Sequence, residues 1–115
     1  MRKVTVDEIR EEIIDVMASD PIPHAKRTPT LNKDRDHLLA SWEWGYKISA
    51  VLLVHFDFDK ESNLYHPTIR VSWPSSYYSP VAARTAANLH SQVADLACRI
   101  STLLEEVHIV ARGED

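Results

Sequence analysis

The sequence predicts an α+β fold: an N-terminal helix, a long loop, an antiparallel sheet of about three strands, and a long C-terminal helix packed on the sheet. Three observations carry that expectation. Every even position from Trp42 to Phe58 is apolar or aromatic, a period-2 pattern that marks strand with one buried face. A second alternation, Tyr65, Pro67, Ile69, Val71 and Trp73, follows a short polar stretch. Apolar residues at helical spacing flank both, in residues 6–17 and 81–107.

The first helix has a well-marked start. Thr5 is a good N-cap and Glu8, three residues on, completes a capping box. Val4 and Ile9 are placed to form a hydrophobic staple across that cap. Val6, Ile9, Ile13 and Val16 or Met17 make one apolar stripe, while Asp7, Glu8, Glu11, Glu12 and Asp15 cover the remaining surface. These carboxylates read as a solvated helix face rather than as acid–base or metal chemistry. The early ones also suit the positive end of the helix dipole. The helix should stop near Ser19-Asp20-Pro21.

Residues 20–37 read as a long loop, since Pro21, Pro23 and Pro29 block regular structure and the connection exceeds the usual length. It carries Lys26, Arg27, Lys33 and Arg35, with His24 and His37. Such a basic arm suits phosphate or an acidic partner; an ordered surface crossover with ordinary charges is the simpler reading. A short turn of helix capped by Asn32 is compatible with residues 32–39.

One strand from Trp42 to Phe58 would span roughly 55 Å, too long for a domain of this size. Gly45 is the natural place for a bend, and the Trp42–Trp44 segment then folds back as a third strand. Pairing the two main strands outward from Glu61-Ser62 sets Phe58 opposite Tyr65, Phe56 opposite Pro67, Val54 opposite Ile69 and Leu52 opposite Val71. A slip of one residue would put half the apolar set in water, so the pattern pins the register. Glu-Ser is a poor two-residue turn; a four-residue turn with Asn63 left-handed is equally compatible. Pro67 donates no ladder bond, which implies an edge or bulged strand at that point. The opposite face of the same hairpin sets Asp57 across from His66, His55 across from Thr68, and Leu53 across from Arg70.

The last helix begins at Ser79, a cap, with Pro80 at its first position. Its expected stripe is Val81, Thr85, Leu89, Val93, Leu96, Ile100, Leu103 and Val107, widened by alanines that allow close approach to the sheet. At roughly 40 Å it exceeds what a three-strand sheet needs. The surplus suits packing on the first helix or on a second subunit. His108-Ile109-Val110 can add a short strand, and residues 111–115 should fray.

Composition bounds the function. A chain of 115 residues is expected to form a single domain. One cysteine, Cys98, excludes an intrachain disulfide framework. It sits beside Ala94, Ala97 and Ile100 and reads as a semi-buried packing thiol. The charged start lacks an apolar run, so no signal peptide is expected, and no apolar stretch approaches the roughly 20 residues of a membrane span. A cytoplasmic location is the default expectation. The net charge of -4 disfavours general nucleic-acid binding. Two glycines rule out a glycine-rich phosphate loop or a dinucleotide fingerprint, and no G-x-S-x-G elbow is present.

Two clusters remain as candidates. Trp42, Trp44, Trp73, Tyr77 and Tyr78 concentrate at one end of the hairpin and, with Arg70, form a candidate partner-binding surface, because aromatic residues and Arg dominate recognition hot spots. The same rings also fill cores. His55, Asp57 and His66 are a candidate divalent-metal set, since two imidazoles and a carboxylate are suitable zinc ligands; an ordinary cross-strand Asp–His pair is the simpler account. The leading expectation is a non-enzymatic protein-binding or assembly accessory protein that self-associates, with no cofactor and no membrane partner. The alternatives are a small metal-dependent or His/Asp hydrolase, and a weak nucleic-acid binder acting through Lys26, Arg27, Lys33 and Arg35.

Overall fold

The computed structural model describes residues 1–19, 22, 37–45, 48–74, 76, 77 and 79–111. Their order is β1 (Arg2–Thr5), α1 (Val6–Ser19), β2 (His37–Glu43), β3 (Ser49–Asp59), β4 (Leu64–Ser72), α2 (Pro80–Glu105) and β5 (Val107–Val110). Among the described residues the strands form one five-stranded sheet in the order β1-β5-β4-β3-β2. The fold is therefore α+β with two helices, as expected, but the sheet is mixed and has more than three strands. β1 runs parallel to β5 and every other neighbour is antiparallel.

The three central strands follow from alternation. β3 pairs with β4 in the expected register, including Phe56 with Pro67, Asp57 with His66 and Leu53 with Arg70. The turn between them is the four-residue form. Asn63 adopts φ 60° and its N–H donates to the Asp59 carbonyl at 2.9 Å. Asn tolerates that left-handed conformation better than most residues. The long alternating run breaks at Gly45, as strand length required. Trp44 N–H donates to Ile48 O at 2.9 Å, Ile48 N–H donates to Gly45 O at 3.3 Å, and β2 returns along β3.

Even-numbered residues of β2 and of β3 as far as Phe56 point to the core, while Phe58 at the hairpin end is exposed. Leu38, Ala40, Trp42, Ala50, Leu52, Val54 and Phe56 are all buried. A fully buried residue of Leu or Ile size contributes about 1.5–3 kcal/mol, so this face dominates the stability of the sheet. α2 crosses β3 and β4 on that face, and α1 packs against α2, β1 and β5. α1 buries Ile9, Ile13 and Met17, the stripe its spacing implied. Its capping box is formed: Glu8 N–H donates to Thr5 Oγ1 at 3.2 Å, and Thr5 N–H donates to Glu8 Oε1 at 3.1 Å.

α2 begins as expected, with Ser79 Oγ accepting from Ala82 N–H at 3.1 Å and proline in the first turn. Its N-terminal half is rotated from the expected stripe, however. Val81 is 62% exposed and Thr85 is also exposed, while Ala82, Ala86 and His90 face inward. At this end the bulk comes from the Trp44 and Trp73 rings against His90, and the helix presents alanines. Further along, Leu96, Ile100 and Leu104 fill the interface themselves. Cys98 is exposed rather than semi-buried, because the buried positions beside it are Leu96, Ala97 and Ile100.

The two strands beyond the central three are four residues each: β5 contains the His108-Ile109-Val110 segment expected to add a short strand, and β1 is the one not expected. Val4, Val107 and Ile109 are their buried positions, all on the helix-covered side with the rest of the core. β5 pairs with β4 only at Leu64 and Tyr65. Pro67 is the next position of β4 whose backbone faces β5, and it has no N–H to continue the ladder. Beyond it, a shallow apolar cleft of about 190 Å³ lies between β4 and α2, lined by Pro67, Ile69, Ser101, Leu104 and Glu105.

Candidate functional site

β2 is the last strand of the sheet, and no described residue pairs with its outer side. In an antiparallel ladder, directly opposed residues alternate between pairs that exchange backbone hydrogen bonds and pairs that do not. Trp44 and Ile48 continue the β2–β3 register and are hydrogen-bonded, so Trp42, Ala40 and Leu38 also bond to β3. The alternation turns the N–H and C=O groups of Glu43, Ser41, Leu39 and His37 away from β3, toward the open edge. Edge strands are ordinarily protected by Lys, Pro, short length or a bulge. β2 is seven residues long, reads HLLASWE, and has neither Lys nor Pro.

The odd-numbered side chains of β2 and β3 form the face opposite the helices. Its rows, read from the register, are His37–His55–Thr68, Leu39–Leu53–Arg70 and Ser41–Val51–Ser72. Leu39, Val51 and Leu53 are half-buried and form an apolar strip in the middle. Arg70 is exposed at its β4 side. At one end the His37 and His55 rings lie 4.3 Å apart, tilted by 39°. His37 Nδ1 is shielded from solvent and has no hydrogen-bond partner among the described residues.

The metal candidates resolve into two separate pairs. His55 Nδ1 lies 3.0 Å from Asp57 Oδ1, and His66 Nε2 lies 3.1 Å from Asp59 Oδ2. Asp57 does stand opposite His66 in register, but His66 turns to the carboxylate at the hairpin end. Asp59 also accepts from Glu61 N–H and Ser62 Oγ–H. The Glu61 backbone bond, then those from His66 and Ser62, hold its carboxyl below the ordinary value. Among the described residues, no three His, Cys, Asp or Glu side chains gather closely enough to hold an ion.

The aromatic candidates divide by burial. Trp42 and Trp44 are 3% and 5% exposed and belong to the core. Trp73 is 41% exposed and stacks on the His90 ring, centroids 4.4 Å apart and planes 11° from parallel. Trp44 meets the same ring edge-on at 6.5 Å, and Tyr77 lies tilted at 6.2 Å. His90, 4% exposed, is thus the centre of the aromatic end. Its Nε2 lies 3.1 Å from the Ser49 carbonyl, which can only accept, so Nε2 carries the hydrogen. Nδ1 is then the acceptor for Tyr77 O–H at 3.4 Å. Burial pushes the His90 pKa below its ordinary value, partly offset by the bond to Ser49. A neutral ring with both nitrogens engaged is a packing and anchoring element, tying α2 to the start of β3.

His90 was not singled out from the sequence, although a signal was present. Ala86, His90, Val93 and Ala97 follow spacings of four, three and four, which place an imidazole on the inward stripe. Tyr78 and the basic candidates Lys26, Arg27, Lys33 and Arg35 lie outside the described residues, as do most of the expected long loop 20–37 and nearly all of the expected frayed tail 111–115. No helix among the described residues is long and apolar enough to cross a membrane. Comparison of the chain with protein-family models, curated proteins and solved structures returned no match.

Proposed function

We propose that this chain is a non-enzymatic assembly protein that works by protein–protein contact through the β2 side of its sheet. One observation carries the reading: a seven-residue edge strand without Lys or Pro, joined to the half-buried apolar strip Leu39, Val51 and Leu53. An edge of that length and composition is a template for further strand pairing. Arg70 lies on β4 in the same row as Leu39 and Leu53, where it can extend the contact.

The hydrolase reading gains little support from the geometry. The His55–Asp57 and His66–Asp59 pairs lie on an open sheet face, and the described cleft beside α2 has Glu105 as the one ionisable group in its lining. Neither places a nucleophile and base in a water-excluding pocket. Native mass spectrometry across a concentration series tests the assembly reading. A dimer or higher oligomer that populates with concentration is expected; a monomer throughout overturns it.

A further inference from the structure

We infer that His37 and His55 form a two-imidazole site for a divalent transition ion of the zinc class, which clamps the first residue of β2 to β3; the inference stands apart from the assembly reading. The two residues are directly opposed in the β2–β3 register, and their ring centres lie 4.3 Å apart. The backbone groups of His37 turn away from β3, so this pair exchanges no backbone bonds. That is the closer of the two antiparallel pairings, with Cα atoms about 4.5 Å apart. Imidazole nitrogens bind zinc at about 2.0–2.1 Å, so two rings on one tetrahedral ion have centres about 5 Å apart. Opening the observed pair by about 1 Å reaches that arrangement.

The bonding around the two rings favours an ion. His55 Nδ1 lies 3.0 Å from Asp57 Oδ1. An ionised carboxylate can only accept, so Nδ1 carries the hydrogen and Nε2 keeps the lone pair. A carboxylate behind an imidazole in this way fixes the tautomer and raises the basicity of the ligating nitrogen. The shielded, unpartnered nitrogen of the pair is His37 Nδ1, so Nε2 of each ring is accessible to solvent. No hydrogen bond among the described residues holds the His37 ring, which can therefore turn a lone pair to an ion without breaking one. Asp57 acts behind His55 and not as a third ligand, in keeping with the absence of a three-ligand group among the described residues. Water completes the coordination. Imidazole donors suit Zn²⁺, Ni²⁺ or Cu²⁺, whereas Mg²⁺ and Ca²⁺ take oxygen. Of the set expected from the sequence, His66 is engaged at Asp59, and His37 takes its place beside His55.

Zinc titration of the metal-free full chain supplies the test, read by calorimetry and by the ring nitrogens of its six histidines in NMR. Saturable uptake of one ion per chain is expected, with the largest shifts at His37 and His55. His37→Gln or His55→Gln should abolish that uptake, and His66→Gln should leave it unchanged. Asp57→Asn should weaken it by about ten- to a hundredfold, the usual effect of removing a carboxylate behind a ligating imidazole. The folded chain alone brings the two rings together, so saturating zinc should raise the unfolding midpoint of the parent and not of His37→Gln. A parent chain without saturable uptake overturns the site, as does uptake that survives His37→Gln or His55→Gln. Uptake lost in His66→Gln places the ion at the hairpin end and overturns it as well. Undiminished binding in Asp57→Asn overturns the role given to that carboxylate. If a glutamine variant does not fold, the ring spectra of the unmodified chain decide: shifts confined to His37 and His55 support the site, and shifts spread over the other histidines overturn it.

Discussion

The two edges of the sheet are secured in different ways. β1 is four residues long, carries Arg2 and Lys3, and runs directly into α1, whose N-cap is its last residue, Thr5. Arg2 donates to Glu12 on that helix from both terminal guanidinium nitrogens, at 2.7 and 3.0 Å. Short length and charge protect this edge, and the devices that hold it are polar and near the surface. β2 is longer, and its inner residues Leu38, Ala40 and Trp42 are buried. It is anchored by apolar packing, and the nearby His90–Ser49 bond ties α2 to the strand beside it. Among the described residues no strand pairs with the outer side of β2, which makes it the better candidate for an interface.

The contrast implies a ranking of mutational effects. Trp42→Ala on β2 should be the most damaging change, costing about 3–5 kcal/mol, because it removes a buried ring and leaves a cavity under α2. Urea unfolding measures it. A loss below about 1 kcal/mol would mean that the inner face of β2 is not core, since exposed substitutions fall in that range. Trp73→Ala is the internal control: its ring is partly exposed, and the loss should be clearly smaller.

His90→Leu comes next. It leaves the Ser49 carbonyl and the Tyr77 hydroxyl without their partner, at a cost of about 1–3 kcal/mol. The variant also alters the pH response. Burial lowers the folded-state pKa of His90 below the ordinary 6.5, so the unfolded chain takes up that proton first. Its contribution is fully present above the ordinary value and is lost as pH falls from there toward the folded pKa. In His90→Leu the unfolding free energy should therefore decline less than in the parent chain over that window. Parallel pH profiles would show instead that the ring is as easily protonated in the folded chain as in the unfolded one.

The same contrast bears on what was legible from residues alone. β3 and β4 announce themselves through long alternation, and their register followed because Leu52, Val54 and Phe56 have to share a face with Val71, Ile69 and Pro67. The capping box, the Ser79 cap, the break at Gly45 and the left-handed Asn63 are local chemistry, readable over a few residues. β1 is not of that kind. Four residues give too few alternations to separate strand from helix lead-in, and its partner Val107–Val110 lies at the other end of the chain. The candidate interface was illegible for a related reason. Which backbone groups of β2 face outward depends on which strand lies at the sheet edge, and that order is set by tertiary pairing. The tryptophans were ambiguous because large rings serve both core and surface, and only the packing of α2 separates Trp44 from Trp73.

The smallest effects belong to the β1 edge, and they sharpen the comparison most. Thr5→Ala deletes the acceptor for Glu8 N–H and should cost about 1 kcal/mol, the usual value of an N-cap. Because Thr5 also pairs with Val110, the loss should be local. Amide exchange in β5 should quicken while β2 and β3 keep their protection, since β5 is held on its other side only by Leu64 and Tyr65. Arg2→Ala should do less still, because the Arg2–Glu12 pair is solvent-exposed and screened by salt. If Thr5→Ala loosened β2 as much as β5, the two edges would be parts of one cooperative unit, and the independence assigned to them here would be lost. If it loosened neither, β1 would be held by its pairing with β5 rather than by the cap, and the polar devices at that edge would serve mainly to keep other strands away.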